Sequence, residues 1–395
     1  MTDRTRIVMA GVASLLIVGF FVVANVVMSG IFTVHYDDGP AAAALLASST
    51  EPAVPVFVAT HVAIPDAVRA IYMTSCVASS QRLRDRLIHV ADTTEINAVV
   101  IDIKDFEGKV SLPLEHPLFE NELSERCPVR GMRGVIAELH EKGVYVIGRI
   151  TVFQDPYHAM LRPDLAVQKA SDRSVWSDRK GLHFIDPGAI EYWEYIAELA
   201  RASYNEGFDE LNFDYIRFPS DGDMKDIYFP LSEAAVMANP EFGKAEVLKG
   251  FFSYLDNSLA DTGAVISADL FGMTMTNTDD LNIGQVLEYV APYFDYIAPM
   301  VYPSHYPPGF NGWSNPNTRV YEVVKFSMDK GVARMNAAST TPLKLRPWLQ
   351  DFDYGGQYGA TEVRAQIQAT YDAGLTSWML WDPANHYTPE ALVGE

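Results

Sequence analysis

Residues 210–218 read ELNFDYIRF, and the alternation inside that run decides the fold. Successive side chains of a strand point to opposite faces. Leu211 and Phe213 therefore share one face, and Asn212 and Asp214 share the other. The same split recurs in VISADLFG (265–272), where Ile266, Ala268 and Leu270 oppose Ser267 and Asp269. It recurs in AVVIDIK (98–104), where Ile101 and Ile103 oppose Asp102 and Lys104. In a sheet closed on itself and wrapped by helices, the apolar face of each strand turns out to the helices and the acids turn inward.

Five further β-rich runs complete the series: AIYMTS (70–75), VYVIGRI (144–150), YIAPMVYP (296–303), RPWLQDF (346–352) and TSWMLWDP (376–383). Amphipathic stretches at 80–93, 131–142, 189–205, 244–260, 317–330 and 361–373 lie between them. Gly143, Gly207, Gly263 and Gly374 close four of these stretches, as expected of a helix stop. Strands and helices alternating in one continuous series imply a parallel sheet with helical crossovers. Eight strands is also the number at which such a sheet closes. A doubly wound open sheet is the alternative, but the segment after the first strand reads TSCVASSQR, which is not a Gly-rich phosphate loop. The expectation is an α/β fold, a (β/α)8 TIM barrel over residues 65–395. The connections 105–130, 152–188 and 219–243 would form loops above its mouth.

Composition narrows the function. The 395 residues are 48% apolar and 12% aromatic, enough for a large core and against wholesale disorder. A formal charge of −21 argues against a nucleic-acid partner, since phosphate binding needs a basic surface. Residues 1–36 stand apart: Arg4 and Arg6 precede an apolar run from Ile7 to Val34. That run exceeds the roughly 20 residues of a bilayer-spanning helix. A cleavable signal has a shorter apolar core of about 7–15 residues, so an uncleaved anchor is expected. Basic residues before the span, and Asp37 and Asp38 after it, place the N-terminus in the cytoplasm and the rest outside. Residues 37–64, rich in Ala, Val, Pro, Ser and Thr without periodicity, read as a tether.

In a barrel of this kind the active site lies at the C-terminal ends of the strands. Asp102, Asp214 and Asp269 would converge there. An interior ion-pair network, with Lys104, Arg149 or Arg217 neutralising these acids, is one account of them. Burying several acids is costly unless they are paired, and purely structural barrel interiors are mostly Val, Ile and Leu. A functional role for Asp214 and Asp269 is therefore expected. Aromatic residues fall at the same level: Tyr72, Tyr215, Tyr302, Trp348 and Trp381. With the amides of Asn212 and Gln350 they suit a sugar, whose ring faces stack on aromatics and whose hydroxyls need fixed polar partners. Cleaving a glycosidic bond needs two carboxyl groups in different protonation states. Asp214 is the candidate nucleophile and Asp269 the candidate acid/base, with the reverse assignment open.

Other chemistries are poorly supplied. The nine histidines form no ligand pair, so neither a metal nor any other cofactor is expected. No GxSxG elbow is present. His183 and His305 fall where they could line the mouth. Cys76 and Cys127 both follow early strands, and a disulfide and two free thiols are both open readings.

The runs NAVVIDIKDFEGKVSL, GVYVIGRITVFQDP, LNFDYIRFPSDG, ISADLFGM, IAPMVYPSHY, RPWLQDF and WMLWDP resemble a bacterial family of predicted glycoside hydrolase barrels, formerly a domain of unknown function. They span about residues 67–390. The resemblance implies a TIM-barrel glycosidase fold and a carbohydrate ligand, and it points to Asp214 and Asp269. The chain also looks distantly similar to α-amylase-type barrels, whose carboxylates after strands four, five and seven act together. That likeness implies Asp351 as a third member, although Asp269 stands where those enzymes carry Glu. The expected function is a membrane-anchored glycosidase acting on an extracellular or cell-wall polysaccharide. A non-catalytic glycan-binding barrel is the alternative, and a deacetylase the weaker third.

Overall fold

The computed structural model describes residues 57–394. The apolar run 7–34, expected to span a membrane, lies outside them. Among the described residues no helix is long and apolar enough to cross a membrane.

Eight parallel strands close into a barrel. They are β1 (Arg69–Met73), β2 (Ala98–Lys104), β3 (Tyr145–Thr151), β4 (Glu210–Asp214), β5 (Val265–Phe271), β6 (Tyr296–Met300), β7 (Trp348–Gln350) and β8 (Trp378–Trp381). Each pairs with its neighbours in chain order, and β1 pairs with β8 through Arg69–Trp378, Ala70–Met379 and Ile71–Leu380. The open-sheet alternative is thereby excluded. Crossovers run through α1 (Gln81–Thr93), α2 (Met132–Glu141), α3 (Ile190–Tyr204), α4 (Gly243–Leu259), α5 (Leu287–Val290), α6 (Val320–Ala337) and α7 (Ala360–Asp372). Of these seven crossover helices, α5 alone has no counterpart among the amphipathic stretches, because its single turn is too short to show a 3.6-residue period. The four helix-stop glycines all adopt positive φ, between 72° and 112°.

Two apolar clusters follow from the strand alternation. The larger fills the layer between barrel and helices: Ile101, Ile103, Leu211, Phe213, Ile266, Ala268 and Leu270 join Ile196 and Leu199 of α3 and Phe251 and Leu255 of α4. The smaller fills the barrel itself with Ala70, Tyr72, Ala98, Val100, Tyr145, Ile147, Ala298, Trp348 and Met379. Leu211 and Phe213 thus face the helices, and Asn212 and Asp214 face inward.

The loops over the mouth are tied to one another. Cys76, in the short helix Ser75–Ser79, forms a disulfide with Cys127 in the connection after β2. Gln168–Lys169 and Ile227–Tyr228 form a two-stranded antiparallel ribbon joining the connections after β3 and β4. At the opposite end, the last tether residues pack on the barrel floor. The His61 ring stacks on Tyr204 at 4.0 Å, and the Val62 N–H donates to Asp209.

Candidate active site

A cleft of about 220 Å3 opens at the C-terminal ends of the strands. It is lined by Arg149, Asp214, Tyr215, Arg217, Asp269, Phe271, Met300, Tyr302, His305, Trp348 and Trp381. Asp214 is the last residue of β4, and its neighbour Tyr215 takes φ 52°, a left-handed conformation uncommon for a bulky side chain. The strand therefore ends in an abrupt turn at the acid.

Among the described residues, every hydrogen bond to the Asp214 carboxylate comes from an N–H donor. Arg149 donates Nε and Nη2 to Oδ2 at 3.1 and 2.5 Å, and the Tyr215 N–H donates to Oδ1 at 2.6 Å. Arg149 also reaches Asp102 Oδ1 with Nη1 at 2.8 Å, while the Tyr72 hydroxyl donates to Asp102 Oδ2 at 2.5 Å. Burial works against the Arg149 charge, but Asp214 and Asp102 outweigh it and hold its pKa well above the ordinary value. Asp102, enclosed by the barrel, is pushed up by burial despite Arg149.

Asp269 meets different surroundings. Its Oδ1 accepts from Asn212 Nδ2 at 2.9 Å and from the Trp348 indole at 2.8 Å. Burial first, and the neighbouring Asp214 charge second, push its carboxyl up to about 8. A carboxyl so raised is neutral at pH 7 and can donate a proton. Asp214 and Asp269 are neighbours on adjacent strands, one step beyond the Phe213–Ala268 pair. The walls are aromatic: Trp381 stacks on Tyr72 at 3.9 Å and meets Trp348 edge-on at 5.4 Å, and the Arg149 guanidinium lies 5.1 Å from the Trp381 ring. Among the described residues no group of His, Cys, Asp and Glu side chains could hold a metal ion.

Residues 70–387 match the profile of the family described as "Putative glycosyl hydrolase domain". The chain belongs to that family. No curated protein matches it. Among solved structures, the glycoside hydrolase domain of PgaB (BpsB) from Bordetella bronchiseptica aligns with a TM-score of 0.60 at 18% identity, over 82% of this chain and 97% of that one. Alpha-L-fucosidase isoenzyme 2 from Paenibacillus thiaminolyticus aligns with a TM-score of 0.53 at 11% identity, over 83% of this chain and 47% of that one. A hypothetical protein from Ruminiclostridium thermocellum ATCC 27405 is 31% identical over 50% of this chain and 96% of its own, with a TM-score of 0.44. The first two likenesses are likenesses of fold.

Of the residues singled out in the sequence, Asp214, Asp269, Arg149, Arg217, Tyr215, Tyr302, Trp348, Trp381 and His305 line the cleft. Tyr72, Asp102 and Asn212 stand behind them and hold them by the contacts above. Arg217 sits at the rim, bonded to Ser220 and 4.9 Å over the Tyr215 ring, rather than to either acid. His183 bonds the Trp176 carbonyl and is not part of the lining.

Three expectations are corrected. Lys104 does not share the interior with Asp102, because the β2–β3 register shifts between them. The shift sends its ammonium to Asp155 at 2.9 Å and the Thr151 carbonyl at 2.8 Å, beside His158 and Tyr192. The amide of Gln350 is consumed by Ser304 and the Phe352 carbonyl. Asp351 lies just past β7 and accepts from Thr388 at 2.7 and 3.0 Å. It lines a separate cleft with Asp353 and Asp382, not the one holding Asp214 and Asp269, so the amylase-like trio does not form.

Phe271 and Met300, which carry no polar or periodic mark in the sequence, also line the cleft. Each is the last residue of its strand, and that position was the available signal.

Proposed function

We propose that this protein is a glycosidase that cleaves a polysaccharide with Asp269 as acid/base and Asp214 as nucleophile. The observation that carries the reading is the contrast between the two carboxyls. Asp269 is raised to about 8 beside a carboxylate held by three N–H hydrogen bonds from Arg149 and Tyr215. Neighbouring acids held in unlike environments are the arrangement that glycosidic hydrolysis requires.

In the first step Asp269 protonates the glycosidic oxygen, the C–O bond breaks, and Asp214 Oδ1 bonds the anomeric carbon. In the second, the Asp269 carboxylate takes a proton from water, the water oxygen attacks that carbon, and Asp214 is released. Arg149 and the Tyr215 N–H hold Asp214 throughout. Trp381, Trp348 and Tyr302 offer ring faces to the sugar.

The anchored, extracytoplasmic placement belongs to the same proposal. It is supported by the run from Ile7 to Val34 and by the Cys76–Cys127 disulfide, which suits an oxidising compartment. The family profile supports hydrolysis. A glycan-binding barrel without turnover is favoured by one observation, the Arg149 bridge between Asp102 and Asp214. Reducing-end release from a panel of neutral, amino and acidic polysaccharides separates the two. Cleavage of at least one supports the glycosidase, and binding without cleavage across the panel supports the alternative.

A further inference from the structure

Beneath the cleft, a line of hydrogen bonds runs from Asp269 into the barrel and ends on an ion pair that the proposed chemistry does not use. Arg346 and Glu210 are both fully buried, and both Nη atoms of Arg346 donate to the Glu210 carboxylate. Ser267 Oγ lies 2.6 Å from Glu210 Oε1. Asn212 Nδ2 lies 3.1 Å from Ser267 Oγ and 2.9 Å from Asp269 Oδ1.

The polarity of this line is forced. A carboxylate paired with arginine only accepts, so Ser267 gives its one proton to Glu210. The Ser267 oxygen must then accept, and the amide nitrogen of Asn212 has to face it. The second proton of that nitrogen goes to Asp269 Oδ1. Asn212 Oδ1 is buried and takes no hydrogen bond from any of the described residues, so none of them orients the amide on that side. Trp348 adds a second donor to the same Asp269 oxygen. An oxygen already receiving two N–H bonds is the poorer seat for a proton.

We propose that the Arg346–Glu210 pair, acting through Ser267 and Asn212, is a positioning device that keeps the Asp269 proton on Oδ2, the oxygen left to the cleft. The inference rests on the reading of Asp269 as the proton donor. Glu210, Ser267 and Asn212 are positioning residues that need not touch substrate. The state they suppress has the Asn212 amide reversed, its Oδ1 accepting from a proton on Asp269 Oδ1. That state stabilises neutral Asp269 while turning its proton away from the substrate.

The other groups facing Asp269 are Asp214 from β4, Arg149 from β3 and Tyr302 beyond β6, with the neutral indole of Trp348 from β7. A Ser267→Ala substitution alters none of them. Glu210→Gln would leave Arg346 buried without its partner and risks unfolding, whereas Ser267→Ala breaks the line without uncovering a charge.

The readout is the Trp348 indole N–H, followed by 15N NMR on the full chain without substrate and identified with Trp348→Phe. In the parent protein it titrates with a midpoint well above the ordinary carboxyl range, and Asp269→Asn abolishes the titration. In a folded Ser267→Ala variant the midpoint rises by roughly one pH unit, because the reversed amide becomes available to the neutral acid. An unchanged midpoint in that variant overturns the proposal, as does a titration that persists in Asp269→Asn. If Ser267→Ala shifts the midpoint while the parent cleaves no polysaccharide, the positioning stands and the glycosidase reading fails.

Discussion

Asp214 and Asp269 stand on adjacent barrel strands one step beyond the paired Phe213 and Ala268, yet they meet opposite surroundings. Arg149 and a backbone N–H grip the first. Burial and the first acid's charge hold the second neutral up to about pH 8. A parallel sheet places equivalent positions of neighbouring strands about 4.8 Å apart, so the charge on one is felt directly by the other.

With Asp269 as the proposed acid, kcat/KM is predicted to fall on the alkaline side with a limb near pH 8, where that carboxyl loses its proton. Stability moves the same way. The folded-state pKa of Asp269 lies above its unfolded value of 3.8, so the native state binds this proton more tightly. The contribution is fully present below about pH 4 and is lost as pH climbs through about 8. Asp269→Asn, which cannot ionise, should gain thermal stability relative to the parent across that window, measured as Tm against pH.

Replacing Asp214 with Asn removes the charge that helps raise Asp269. The Trp348 indole titration should then move to lower pH. Asn at 214 can still accept from Arg149, so circular dichroism should report an unchanged fold. A midpoint that stays in place would show that burial alone sets the acid.

Adjacent-strand placement favours the short carboxyl separation, about 5–5.5 Å, of enzymes that form a covalent intermediate. The first product released should therefore keep the anomeric configuration of the substrate, read by proton NMR within minutes of mixing. Inversion would remove Asp214 from the role of nucleophile.

Strand alternation places Leu211, Phe213, Asn212 and Asp214 on their observed faces because a period of two leaves no freedom once the outer layer is apolar. The same rule fails at Lys104, where a register shift against β3 re-aims the side chain, and shifts of that kind carry no residue signature. Gln350 is misjudged for another reason. An amide's partners are fixed by loops, here Ser304 and Phe352, whose path no periodicity describes. Asp351 shows the hazard of transferring a role by strand number, since the chain turns at the end of β7 and commits that acid to Thr388. The Cys76–Cys127 pairing depends on two mouth loops meeting, which the sequence left open.

That disulfide closes a loop with a sequence separation of 51 residues over the mouth. Chain-entropy arguments for a loop of that length give about 4 kcal/mol of stabilisation. The Cys76→Ser, Cys127→Ser double variant should unfold at correspondingly lower urea, with the alkaline limb of hydrolysis unmoved, because neither cysteine reaches the Asp269 line.

The most direct test compares the parent protein and Asp214→Asn on whichever polysaccharide the parent cleaves, reading reducing ends for turnover and retention on the immobilised glycan for binding. The paired-carboxyl account predicts that the variant loses turnover by at least about a thousandfold while still binding the glycan. Full turnover by a correctly folded Asp214→Asn protein would contradict it.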